Sequence, residues 1–341
     1  MSNQSELDRL YAISAGFRAQ YMEYDRLKHI KEDLRMLVAR DNSASEGGVM
    51  TLLGASGSGK TQLINSFVAD YPRQKHAISH PGPEGRKADR ATVVVVNMPD
   101  TGVKSVLQAT YEALTEVELK DARRYDLESD IGYYAAEQQT KLIIFEEGHE
   151  TSVDETSRTV RAVARLLKRF SKRATFSMLI VGTEAAADIV LSNRELHRRH
   201  LGFHTIKPMD WNDRRDQAFF MKLLKTWDKL LQEGFAPSGL GNPELAAKIA
   251  LASGGVIGWA ALLLERAGYL AARDVVAGRT DRITEPHLQA AHQLLGAPGP
   301  NPFVGEDGKP PMEPIVPPPA APPVVRARGG RRAEPDRNFR P

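Results

Sequence analysis

A chain of 341 residues, 41% of them hydrophobic and 26% charged, can bury a sizeable core and suits about two domains. The absence of cysteine excludes a disulfide framework, Cys-ligated zinc, an iron–sulfur cluster and a thiol nucleophile, and it fits a reducing cytosol. A net charge of +3 is too small to argue for nucleic acid by itself, so the placement of charge carries the information.

The N-terminal sequence MSNQSELDRL lacks the basic-then-apolar pattern of a secretory leader, and no apolar run of about 18 residues follows. A soluble, cytoplasmic protein with no membrane partner is therefore expected. Residues 5–42 read as helical, with Leu27, Ile30, Leu34 and Leu37 at three- and four-residue spacing, and the Ser/Gly-rich run 43–48 breaks the pattern. Short apolar runs at 49–53, 92–96, 142–145, 176–181 and, more weakly, 203–206 then alternate with longer helical stretches. Strands separated by helices predict an α/β core with a mostly parallel sheet. After Pro208 the strands stop, and 211–231, 243–252, 258–277 and 285–295 all read as helices.

From Ala297 onward the composition changes, because 13 of the 21 prolines fall in the last 45 residues. Such a segment buries too little apolar surface to offset its ordering entropy and is expected to be a disordered, partly polyproline tail. Its end carries Arg326, Arg328, Arg331, Arg332, Arg337 and Arg340, which suits either a solubilising tail or a docking arm. The expected organisation is an N-terminal helical segment (1–43), a P-loop core (44–208), a helical domain (209–296) and the tail (297–341).

The strongest motif is Gly54-Ala55-Ser56-Gly57-Ser58-Gly59-Lys60-Thr61, which follows an expected strand and opens a helix that continues at Gln62. Its glycines let backbone N–H groups turn inward around a phosphate. Lys60 neutralises β/γ charge and the Thr61 hydroxyl can ligate Mg2+. ATP is the expected nucleotide, although no set of residues reads the base from sequence.

A P-loop needs an acidic partner at the end of a nearby strand, and Leu142-Ile143-Ile144-Phe145-Glu146-Glu147 supplies one. Glu146 is expected to hold Mg2+ and Glu147 to polarise the attacking water. Asp is usual at the first position, so Glu146 adds a methylene that the metal's octahedral shell must absorb. His149 follows shortly after and is expected to be a hydrogen-bonded support rather than a general base. His197, His200 and His204 straddle Gly202 and do not make a convincing metal-ligand spacing.

With the P-loop, the Glu146-Glu147 pair and the later Leu179-Ile180-Val181-Gly182-Thr183-Glu184, the chain resembles the AAA+ ATPases that regulate DNA transposition, the TniB/TnsC type related to MuB. The resemblance spans roughly residues 25–295 and implies an AAA+ core with a C-terminal helical lid. It makes Thr183 a sensor of the nucleotide. In Leu196-His197-Arg198-Arg199 it makes Arg198, with Arg199 as the alternate, an arginine presented to a neighbouring subunit's nucleotide. Such a residue stabilises charge on the transferred phosphoryl group only upon assembly, whereas a solvated basic loop is the plainer alternative. Trp259, after Gly258, stands where family members often carry a lid arginine. The helical segment near Tyr24 to Leu37 is placed over the base pocket.

Two segments are candidates for DNA. Between Arg158 and Arg173 lie seven basic residues and no acid, with Arg161, Arg165, Lys168 and Lys172 on one helical face and an apolar stripe on another. That face is either a phosphate-neutralising ridge or a solvated or subunit-facing surface. The resemblance adds the loop after the second core strand, with Thr101 and Lys104, and this loop is preferred.

The resemblance implies a bacterial, DNA-associated, ATP-dependent transposition regulator. It would oligomerise as a ring or filament on duplex DNA, recruit transposase and a TniQ-like target-selection protein, and disassemble on a slow, partner-dependent hydrolysis. The alternatives are a P-loop phosphotransferase for a small metabolite and a nucleotide-binding scaffold that hardly hydrolyses.

Overall fold

The computed structural model describes residues 3–17, 20–40, 46–79, 87–99, 102–119, 126–148, 157–173, 176–296 and 299–304. Two N-terminal helices, α1 (Asn3–Gly16) and α2 (Asp25–Ala39), precede β1 (Val49–Gly54) and α3 (Lys60–Val68). A hairpin of β2 (Gln74–Ser79) and β3 (Lys87–Arg90) leads to β4 (Val93–Asn97), α4 (Gly102–Thr115), α5 (Leu127–Glu137) and β5 (Leu142–Glu146). Then come α6 (Ser157–Arg173), β6 (Ser177–Gly182), the short helices α7 (Ala187–Leu191) and α8 (Arg194–Arg198), and β7 (His200–Ile206). Four helices finish the chain: α9 (Arg214–Leu231), α10 (Pro243–Ala252), α11 (Ile257–Val276) and α12 (Glu285–Leu295).

Five strands form one parallel sheet in the order β4-β5-β6-β1-β7. β1, β4, β5 and β6 are near-continuous apolar runs because helices cover both faces, whereas β7 at the edge alternates exposed and half-buried residues. Along β5, Ile143 and Phe145 point to one side, against Val106 and Leu114 of α4 and Val163 and Leu167 of α6. Leu142 and Ile144 point to the other, against Ile30 and Leu34 of α2 and Leu63 and Phe67 of α3. The expected α/β core is thus present, with all five expected strands in it.

Three features depart from the sequence-based expectation. The hairpin β2–β3 was not predicted, since its strands are short and polar and β2 is almost wholly exposed. The N-terminal segment is not one unit: α1 ends at Gly16, α2 begins at Asp25, and the two serve different cores. Leu10 and Phe17 join the apolar cluster of α9–α12, whereas α2 packs on the sheet. The lid packing also continues past residue 296, because Phe303 rests on the lid cluster and His292 Nε2 lies 3.0 Å from the Gly299 carbonyl. The rest of the Pro/Arg tail, from 305, lies outside the described residues, as does the 43–45 part of the Ser/Gly break.

Local chemistry fixes the lid helices. Asp213 caps α9 by accepting from the Arg215 amide at 2.7 Å, and Asn242 caps α10 ahead of Pro243. Thr284 and His287 close a reciprocal capping box on α12. Among the described residues no single helix is long and apolar enough to cross a membrane.

Candidate functional site

The phosphate loop is the turn from β1 into α3. Gly57 and Gly59 have φ of 77° and 96°, a left-handed region that side chains disfavour, and this lets successive amides point into one concavity. Gly54 is required for a different reason: a Cβ there would lie 2.6 Å from Ser58 Oγ and 2.9 Å from the Ile206 carbonyl. Lys60 opens α3, yet its ammonium folds back to donate to the carbonyls of Gly54 (2.9 Å) and Ala55 (3.0 Å). Burial pulls the Lys60 pKa below the ordinary lysine value, opposed by Glu147 and Glu146. An anionic ligand in the loop would relieve that cost.

The acidic pair ends β5, which is not the immediate neighbour of β1. β6 lies between them, so Thr183, just past the end of β6, stands between the loop and the acids. Glu146 is 8% exposed, and its Oε1 has no hydrogen-bond partner. Burial first, then Glu147, raise its pKa above the usual carboxylate range, while a hydrogen bond from Thr61 and the charge of Lys60 pull it down. Glu147 adopts a left-handed φ of 57°, a conformation that costs a non-glycine residue roughly 1–2 kcal/mol.

Thr61 and Glu146 therefore form a hydroxyl–carboxylate pair with one buried oxygen unsatisfied. Hard oxygen donors of this kind fit Mg2+, which completes its octahedral shell with water and phosphate oxygens. Among the described residues no cluster of three His, Asp or Glu side chains suits a metal, so a bound nucleotide would have to supply part of the coordination.

One cavity of about 390 Å3 gathers Ser56, Gly57, Ser58, Gly59, Lys60, Thr61 and Gln62 with Glu147 and Thr183. Its apolar end is closed by Tyr21, Met22, Tyr24 and Leu27 from the N-terminal segment and by Phe219, Leu223, Trp227, Ile257 and Ala261 from the lid. Tyr24 stacks on Phe219 with ring centroids 4.2 Å apart. This is the shape a nucleotide needs, with a cationic loop at one end and flat apolar walls at the other. Sequence reasoning placed α2 over this pocket but missed its lid residues, which lie on helices that look like ordinary core stripes.

A profile of the bacterial TniB protein family matches residues 13–212. The chain belongs to the TniB family. No curated protein sequence matches it. Similar solved structures include Cdc6p from Pyrobaculum aerophilum, with a TM-score of 0.53 at 12% identity over 80% of this chain and 67% of that one. Another is the ORC2 protein of Aeropyrum pernix, in ADPNP–ADP complexes, with a TM-score of 0.54 at 15% identity over 81% of this chain and 69% of that one. At such identities the likeness is one of fold: a parallel-sheet core with flanking helices, followed by a helical region.

Of the remaining candidate residues of the TniB-family chain, Arg198 and Arg199 lie away from the pocket. Arg198 is exposed at the end of α8, and Arg199 is half-buried with its Nε donating to Glu46. The alternate arginine is thus engaged within the chain, whereas Arg198 has no ion-pair partner among the described residues. Both precede β7, whose His200 pairs with Val49 at the start of β1, while the phosphate loop follows the other end of β1. A six-residue strand separates Arg198 from its own nucleotide site, roughly 20 Å.

The basic face of α6 is partly neutralised. Lys168 pairs with Glu195 at 2.7 Å, and the neighbouring Arg169 pairs with Glu128 at 2.8 Å. Arg161, Arg165 and Lys172 remain exposed. Lys104 is exposed in the first turn of α4, whereas Thr101 and His149 lie outside the described residues.

Proposed function

We propose that this TniB-family ATPase is an ATP-dependent regulator of DNA transposition. In this reading it assembles on duplex DNA with ATP bound, presents that assembly to transposase and to a target-selection protein of the TniQ type, and is released by hydrolysis. One observation supports the assembly step: Arg198 is exposed about a strand's length from its own phosphate loop, roughly 20 Å away, which is too far to serve its own nucleotide and suits donation to one held by another copy. ATP then acts as a ligand of the assembled state, and its binding matters as much as its turnover.

The chemistry follows from the pocket. The loop amides and Lys60 bind the β- and γ-phosphates, and Lys60 exchanges its two carbonyl partners for phosphate oxygens. Thr61 and Glu146 would hold Mg2+, which supplies charge neutralisation at the phosphates when bound. Glu147 orients water and accepts its proton, Thr183 registers the γ-phosphate, and Arg198 of an adjacent copy stabilises the developing charge.

The DNA contacts proposed are Thr101 and Lys104, of which Lys104 is exposed in the first turn of α4. Arg161, Arg165 and Lys172 add a sequence-independent, salt-sensitive term. Negative-stain microscopy with linear duplex DNA, comparing no nucleotide, ATP and a non-hydrolysable analogue, tests the reading. Analogue-dependent rings or filaments that Lys60→Ala abolishes are expected. Dispersed single copies under every condition would overturn it.

A further inference from the structure

The first turn of α11 rests directly on the phosphate loop. The first amides of a helix have no partner within it, and Val256, at the N-cap, offers no side-chain cap. The Gly258 amide instead donates to the Gly57 carbonyl at 2.9 Å. The same peptide is held from its other side, because the following amide, Ser58 N–H, donates to the Ala55 carbonyl at 3.1 Å.

This approach needs glycine on both partners. A Cβ at Gly258 would lie 2.7 Å from Gly57 Cα and 2.8 Å from the Gly57 carbonyl oxygen, which is backbone and cannot swing aside. Gly57 has a φ of 77° and would meet Gly258 Cα at 3.4 Å if it carried a Cβ. The contact also borders the cavity that gathers the loop with Glu147, since Gly57 and Gly258 both line it.

We infer that Gly258 is a positioning residue for nucleotide binding: the phosphate loop caps the lid helix through the Gly258–Gly57 hydrogen bond, and this backbone contact ties lid position to the shape of the loop. It acts at the place where Trp259 leaves the lid without a cation, so the lid reaches the phosphate end with an amide rather than a guanidinium. A lid that moves away exposes the Gly258 amide and leaves the 57–58 peptide held only by the Ser58–Ala55 hydrogen bond, so the loop loses one of the two contacts that fix its shape. The inference rests on the ATP-binding reading above.

The test compares Gly258→Ala with Trp259→Ala in the full chain, measuring binding of a non-hydrolysable ATP analogue, then KM and kcat. Gly258→Ala is expected to weaken analogue binding and raise KM about tenfold with kcat within about twofold, while Trp259→Ala stays within about twofold in all three. Wild-type affinity in Gly258→Ala, or an equal loss in Trp259→Ala, would overturn the inference.

A second measurement stands if Gly258→Ala fails to fold. Hydrogen exchange on the unsubstituted, nucleotide-free protein should show the Gly258 amide slowed about 100-fold or more against an unstructured peptide. Exchange at the unstructured rate would overturn the contact. If the unsubstituted protein binds no nucleotide, the functional reading fails, and the exchange result still decides whether the loop caps the lid.

Discussion

The Tyr24 hydroxyl donates to the carboxylate of Asp216, joining the segment between α1 and α2 to the first turn of lid helix α9. Asp216 is 1% exposed and also accepts from Arg26 at 2.7 Å and from the Asp210 amide at 2.9 Å. One carboxylate thus gathers the N-terminal segment, the core–lid linker and the lid, beside the ring of Tyr24 that lines the pocket. Burial, then the neighbouring carboxylate, pushes the Tyr24 pKa up to about 12. Burial works to raise Asp216 as well, but the Tyr24 hydroxyl, the Asp210 amide and Arg26 outweigh it and hold it below the usual carboxylate range.

Asp216→Asn should therefore loosen the pocket and the fold together. Hydrogen bonds to a charged group contribute about 2 kcal/mol, and Arg26, a third exposed, recovers part of its solvation. A fall in Tm of about 5 °C is expected, with weaker ATP binding. The pH window follows from the two shifts. The Tyr24 contribution is present below the unfolded tyrosine pKa of about 10 and is lost as pH rises through about 12. The Asp216 contribution is present above the unfolded carboxylate pKa and is lost as pH falls through its lowered value. Melting curves for both proteins should differ most between about pH 5 and 9 and converge toward either extreme.

Glu147→Gln separates binding from turnover. The amide keeps the volume and cannot take a proton, so hydrolysis should fall about 100-fold or more while analogue binding stays near the unsubstituted level. Lys60→Ala should lose binding itself. Equal loss of binding in both variants would remove Glu147 from its assigned role.

Much of this was legible in the sequence, and the pattern of what was not has a physical cause. The phosphate loop and the five strands announce themselves locally, through glycine spacing and apolar runs at 49–53 and 142–145. The helices of the lid are also local, and Pro243 and Glu285 mark the starts of α10 and α12 as expected. The partition of α1 and α2 between two cores is not local. Leu10 and Leu34 look alike as helical apolar residues, yet one joins the lid cluster with Leu224 and the other the sheet cluster with Leu63. The lid side of the pocket was invisible for the same reason, since Phe219, Trp227 and Ala261 converge only after the lid has folded.

Arg198 and Arg199, adjacent in sequence, should behave differently. Arg199 is 14% exposed in its side chain and ion-paired to Glu46, so Arg199→Ala should lower Tm with a modest effect on per-site activity in the assembled state. Arg198→Ala should leave Tm within about 1 °C and reduce DNA-stimulated hydrolysis about 100-fold or more, because a surface residue contributes little to stability and a trans arginine contributes much to the rate. Mixing Arg198→Ala with Glu147→Gln protein should restore part of the activity, since a Glu147→Gln copy can lend its arginine to an intact acid in its neighbour. Failure of every mixture, with assembly intact by microscopy, would argue against donation between copies.

The histidines on β7 predict a one-sided pH response. Burial, followed by the charges of His197 and His204, depresses the His200 pKa to about 4, and the ring lies 2.8 Å from Thr51 Oγ1. Burial also lowers His204, against the opposing pull of Asp33. A depressed histidine means that the unfolded chain binds protons first. Stability is therefore full above about pH 6.5 and falls as pH drops toward about 4. Urea unfolding of the unsubstituted protein at pH 7.5 and pH 5 should show this loss, and His200→Gln, which keeps a polar group near Thr51 without a titrating ring, should shrink it. An unchanged difference between the two pH values in His200→Gln would place the acid sensitivity elsewhere, with His204 and its Asp33 partner the next pair to substitute.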